Sequence, residues 1–186
     1  MLNSFYDKFI FTNGLKFRHG NFFLINLPFV MLPVDALASI AEKGDKSLDL
    51  AIYSSVKASI IGDVKNQFRI DFGIEGEKGL EFMEAYFSAS GWGEIEKTDL
   101  DFGNARCLVS VLNSPVAQNC KGVKRPVDSF LRGFLAGIFS VYFRREVDCI
   151  ESKCSATGDA HCEFVVKPAS EFNFENPLTR DQLKTE

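Results

Sequence analysis

Two β-prone runs, residues 147–153 and 162–167, are joined by the loop Cys154-Ser155-Ala156-Thr157-Gly158-Asp159-Ala160-His161. A hairpin brings the two ends of its loop to within a few ångströms. Glu151, Cys154 and Cys162, spaced Glu-x2-Cys-x7-Cys, are therefore constrained to converge on one corner. Thiolate sulfur and carboxylate oxygen both ligate Zn²⁺, which prefers a tetrahedron and so needs one more donor. His161 adjoins Cys162 but points to the opposite strand face by alternation. The better sources are Asp128 and Cys120, near the start of the helix that precedes the hairpin, with Asp128 preferred and Cys120 in reserve. Four protein ligands leave no open position for a substrate, which favours structural over catalytic zinc. The competing reading makes the cysteines small buried hydrophobes and Glu151 a surface carboxylate.

Away from this corner the chain reads as helices and short strands. Pro126 opens a helix running to about residue 145, with Gly133, Ala136, Gly137 and Ser140 on a small-residue face. Each interior glycine costs about 1 kcal/mol relative to alanine, which points to close packing against another backbone or to space left for a ligand. Apolar residues recur every four positions through Leu48, Ile52, Val56, Ile60, Val64 and Phe68, predicting a long helix with Ser47 as its N-cap. A shorter helix lies between Pro33 and Gly44, and another over 76–90 is ended by Gly91-Trp92-Gly93. Strands are expected at 9–11, 16–18, 21–26, 94–98 and 106–112, and residues 169–186 form a strap or frayed end without periodicity. The class is α/β (α+β): an antiparallel sheet packed with several helices.

A chain of 186 residues is best folded as one domain, residues 1–168 with the tail 169–186, because two halves would each bury too little apolar surface. A net charge of −4 argues against nucleic acid as a partner, since tracking a phosphate backbone needs a basic face. The longest apolar stretch, 21–37, is interrupted by Asn26, Pro28, Pro33 and Asp35, so no membrane span is expected. Asp7, Lys8, Lys16 and Arg18 occupy the place of a secretory apolar segment, and an odd count of 5 Cys suits reduced thiols and metal ligation; both point to the cytoplasm. No dinucleotide fingerprint, Walker run or nucleophile elbow is present. The 19 Phe serve either a core or a cavity for an apolar ligand, with Phe68, Phe130, Phe134 and Ile138 as candidate walls between helices and sheet.

The succession Gly91-Trp92-Gly93, Asn113-Ser114-Pro115, Pro126-Val127, Gly133-Phe134-Leu135-Ala136-Gly137 and Glu151-x2-Cys154-x3-Gly158-x3-Cys162-x-Phe164 resembles the 4-vinyl reductase domain family over roughly residues 87–167. The resemblance implies a fold shared with transport-particle subunits and with sensor domains of aromatic-responsive transcription regulators. It also implies a zinc site beside a closed apolar pocket, its ligands a Cys at the start of the last long helix and the Glu and two Cys of the final hairpin. Glu151, Cys154 and Cys162 match that set, while Asp128 stands where the helix Cys is expected. The expected function is to bind a small hydrophobic molecule in an internal cavity, as a sensor or carrier with structural zinc, in a homodimer. The alternatives are an enzyme or accessory factor acting on a tetrapyrrole vinyl group, weighed against by the lack of a nicotinamide or flavin motif, and an assembly subunit.

Overall fold

Short strands separated by residues that tolerate positive φ can only pair with their neighbours, and the N-terminal part does so. The computed structural model describes residues 14–24, 27–63, 76–120 and 122–184. In it β1 (Leu15–Arg18), β2 (Asn21–Leu24) and β3 (Leu27–Phe29) form an antiparallel meander, turned between β1 and β2 by His19 (φ 50°) and Gly20 (φ 79°). Helices α1 (Val34–Lys43), α2 (Lys46–Asp63) and α3 (Gly76–Ala89) follow. A second antiparallel sheet has the order β4 (Glu94–Asp101), β5 (Arg106–Leu112), β7 (Cys162–Lys167), β6 (Asp148–Lys153). Between β5 and β6 run α4 (Pro115–Asn119) and α5 (Ser129–Tyr142), and α6 (Pro177–Leu183) follows the sheet. No helix among the described residues is long and apolar enough to cross a membrane.

The core lies between α5 and the four-stranded sheet. Leu131, Leu135 and Phe139 of α5 share one buried cluster with Val109 and Val111 of β5 and Phe164 and Val166 of β7. Full burial of each such side chain is worth about 1.5–3 kcal/mol. On its other side α5 packs on α2. A Cβ at Gly133 would stand 2.6 Å from the Tyr53 carbonyl oxygen, and one at Gly137 would stand 2.7 Å from the Ile60 Cβ. The two glycines therefore serve close backbone packing, not space for a ligand.

Several elements depart from the sequence expectation for local reasons. Asp45, not Ser47, caps α2: its Oδ1 accepts from the main-chain N–H of Ser47 (2.7 Å) and of Leu48 (3.3 Å). The four-residue stripe drifts around a helix of 3.6 residues per turn, so Leu48 is 40% exposed while Leu50, Tyr53 and Lys57 are buried; Val64 and Phe68 lie outside the described residues, as do the expected strand 9–11 and residues 25–26 of the expected strand 21–26. Helix α5 starts at Ser129, three residues after Pro126, because the Asp128 N–H is held by Glu151 Oε2 (3.0 Å) with Asp128 at non-helical φ −90°, ψ 52°. Asn113-Ser114-Pro115 does more than close a hairpin: Ser114 caps α4, with Pro115 at its start. The expected strap or frayed end contains α6, capped by Asn176 and docked through buried Thr179 and Gln182.

Candidate metal centre

In a regular strand Glu151 and Cys154, three residues apart, would face opposite sides. A register shift in the β6–β7 pairing between Glu151 and Lys153 makes Ser152 the extra residue, and its hydroxyl donates to the carbonyl (3.1 Å) and carboxylate (2.8 Å) of Glu163. With that bulge, Glu151 and Cys154 both turn inward and meet Cys162, which heads the buried face of β7. The ligand atoms of Glu151, Cys154 and Cys162 lie within 4.8 Å of one another, all three buried. The loop is held by Asp159, whose carboxylate accepts from the Cys154 N–H (2.9 Å), and is turned by Gly158 at φ 105°.

Asp128 joins this corner. Its side chain makes no capping bond to its own helix; Oδ2 instead accepts from the Ser114 hydroxyl (2.7 Å) and lies 3.7 Å from Cys162 Sγ. Cys120 stays outside, its thiol directed at the Ala38 carbonyl (3.7 Å). His161 sits in the half-buried loop and is not part of the cluster. Sequence reasoning missed Ser114, although a serine before a proline is an N-cap signature, and also missed Gln182 and Arg132, which no local pattern marks. Gln182 brackets the Glu151 main chain, accepting from its N–H (2.8 Å) and donating to its carbonyl (2.9 Å).

Burial without counter-ions perturbs these groups strongly. Desolvation pushes the Asp128 carboxyl up to about 7, reinforced by Cys162 and opposed by the Ser114 hydrogen bond. Glu151 is raised well above the usual carboxylate range by burial and then by Asp128. The Cys154–Cys162 hydrogen bond raises Cys154 and draws Cys162 down to about 5, so Cys154 keeps the proton and Cys162 is the thiolate. One atom has no partner: Glu151 Oε1 is buried without a hydrogen bond. A buried, unsatisfied carboxylate oxygen costs several kcal/mol, and a cation at the corner would satisfy it. Two thiols and a carboxylate within 4.8 Å fit such an ion, since a tetrahedral zinc holds two sulfurs about 3.8 Å apart. Metal ligation requires every ligand deprotonated. Near pH 7.5, binding is therefore expected to release about two protons, from Cys154 and Glu151, and affinity should fall as pH drops and Asp128 also protonates. Calorimetry in buffers of differing ionisation enthalpy checks this; a proton count near zero would contradict it.

Beside the corner lies a half-open groove of about 400 Å³ between α1, α2 and the lead into α5. Leu37, Ile40, Ile52, Val56, Val127 and Phe130 line it, and the Asp128 carboxylate stands in its wall. Of the expected cavity residues, Phe130 is on the groove and stacks on Trp92 (4.8 Å between ring centres). Phe134 and Ile138 are buried in the main core, Phe134 against Phe87 (5.7 Å), because α5 turns that face away from the groove. Phe68 lies outside the described residues.

Antiparallel sheets layered with helices, and a buried Glu/Cys/Cys corner at the end of the final hairpin, define a fold like that of the vinyl-4-reductase domain, related to those of sensory and transport-particle domains. Residues 108–168 match the vinyl-4-reductase domain itself, which bears out the resemblance read from the motifs. An uncharacterised protein of Methanocaldococcus jannaschii is 39% identical over 49 residues, 26% of this chain and 28% of that protein, so the aligned segment spans less than a third of this relative's length. The phenol-responsive sensory domain of the transcription activator PoxR, solved with phenol, superposes with a TM-score of 0.75 over 97% of this chain and 96% of that one, at 15% identity. A trafficking protein particle complex subunit 3 from Naegleria fowleri, covalently bound to palmitic acid, gives a TM-score of 0.50 over 72% and 93% of the two chains at 14% identity. At such identities the likeness is one of fold.

Proposed function

We propose that this protein binds a small hydrophobic molecule in the groove between α1, α2 and the start of α5, and acts as a sensor or carrier. The observation that carries the reading is the groove itself: about 400 Å³ of apolar wall with a buried carboxylate at one side. Such dimensions suit a ligand of drug size or smaller. Relatives of the same fold were solved with phenol and with palmitic acid, which supports the class of ligand. Zinc is the preferred metal, held by Glu151, Cys154, Cys162 and Asp128. Bound there it would act as a structural clamp, tying the β6–β7 hairpin to the start of α5. Val30, Met31 and Leu32 are 86%, 58% and 53% exposed, and covering such a run against a second copy supports a homodimer.

Phenol and palmitate are the probes for the test, with Ala51→Trp filling the groove from its exposed wall. At least one probe is expected to bind the wild type with a micromolar Kd, and to bind the folded Ala51→Trp protein at least about tenfold more weakly. Equal binding to both proteins, or no binding of either probe to the wild type, would overturn the assignment.

A further inference from the structure

Two cations are buried among the described residues, Lys57 (8% exposed) and Arg132 (3%). Lys57 has its own carboxylates, Asp148 at 2.7 Å and Glu146 at 3.1 Å. Arg132 has none within ion-pair distance. Its guanidinium donates to the main-chain carbonyl of Gln182 (2.7 Å) and lies over the Tyr53 ring, 4.9 Å from the centroid. A buried charge left without a counter-ion is strongly destabilising, so this placement calls for an anion nearby that is not a simple pair.

The metal corner is that anion. Arg132 stands one helical turn after Asp128 on α5, hence on the same side of the helix. Gln182 links it to Glu151: the Gln182 carbonyl takes the guanidinium, while the side-chain amide takes both main-chain groups of Glu151. Two carboxylates and two thiolates around a divalent cation retain net negative charge, which in a low-dielectric interior needs compensation.

Resting on the metal site proposed above, we propose that Arg132 is the positioning residue of this centre: it supplies the buried counter-charge for the Asp128/Glu151/Cys154/Cys162 set and, through Gln182, fixes the Glu151 main chain. Groups of this kind around metal ligands set affinity by about 10–100-fold.

The test compares full-length wild type, Arg132→Met, Arg132→Lys and Gln182→Ala, reading the zinc Kd by competition with a chromophoric chelator and the visible absorption of the cobalt(II) form. The wild type is expected to bind one zinc. Arg132→Met should bind it about 10–100-fold more weakly with a shifted cobalt spectrum, Arg132→Lys should stay within about threefold, and Gln182→Ala should fall between them. If Arg132→Met does not fold, Arg132→Lys decides: tight binding supports the counter-charge, and binding at least about tenfold weaker than wild type overturns it. A folded Arg132→Met with wild-type affinity and spectrum also overturns it. A wild type without stoichiometric zinc is a different failure, because it removes the metal reading on which this one rests.

Discussion

Cys162→Ser and Cys154→Ser are each expected to abolish stoichiometric metal, with a large loss of thermal stability. Cys154 and Cys162 are 1% and 0% exposed and, with Glu151, present their ligand atoms within 4.8 Å of one another. Neither can be replaced by a neighbour, since His161 and Cys120 point elsewhere. Structural zinc in small sites contributes on the order of 10 kcal/mol of apparent binding free energy. Losing it should free the β6–β7 hairpin from α5, because the remaining ties are the 3.0 Å bond from the Asp128 N–H to Glu151 and the Gln182 clamp. Asp128→Ala should weaken the metal, and Cys120→Ser should leave it bound. Elemental analysis after purification without chelators, followed by thermal unfolding with and without added zinc, measures this. A wild type free of metal, or metal retained in both cysteine variants, would sink the assignment. Metal lost from Cys120→Ser but kept in Asp128→Ala would leave the site standing with a different fourth ligand.

Gly133→Ala is expected to destabilise the fold by about 1–2 kcal/mol, although alanine is about 1 kcal/mol the better helix former. The added methyl would meet the Tyr53 carbonyl oxygen at 2.6 Å, and the obstacle is backbone that moves only if α2 shifts as a unit. Gly137→Val should cost more, about 3 kcal/mol, because its branches add to contacts of 2.7 Å and 2.8 Å with Ile60 and 3.0 Å with the Lys57 carbonyl. Separating α5 from α2 would also loosen the bond from Tyr53 to Asp148 (2.7 Å) and the Arg132–Tyr53 contact, so disturbance should spread towards β6. Urea denaturation at equilibrium gives both values. A Gly133→Ala protein as stable as wild type would show that the α2–α5 contact yields more readily than this geometry allows.

The sequence by itself determined what depends on near neighbours: the antiparallel strands β5, β6 and β7, the helices before and after them, and the three ligands Glu151, Cys154 and Cys162. Their convergence was legible because a hairpin joins residues close along the chain, and pattern and turn chemistry act over a few positions. Asp128 was legible as a residue at a helix start near the same corner. That its carboxylate abandons the cap for Ser114 and Cys162 depends on α4 and β7 arriving together. Only the tertiary structure decided which side of α5 became core, so that Phe130 faces a groove while Phe134 and Ile138 do not. It also decided that Ser152 bulges to set Glu151 and Cys154 on one face, and that the supposedly loose tail returns as α6 to bring Gln182 against Glu151 and Arg132. The reason is the same in each case: these placements are chosen by burial and by satisfying buried polar groups between segments far apart in the chain, and such contacts leave no periodic trace in any one of them.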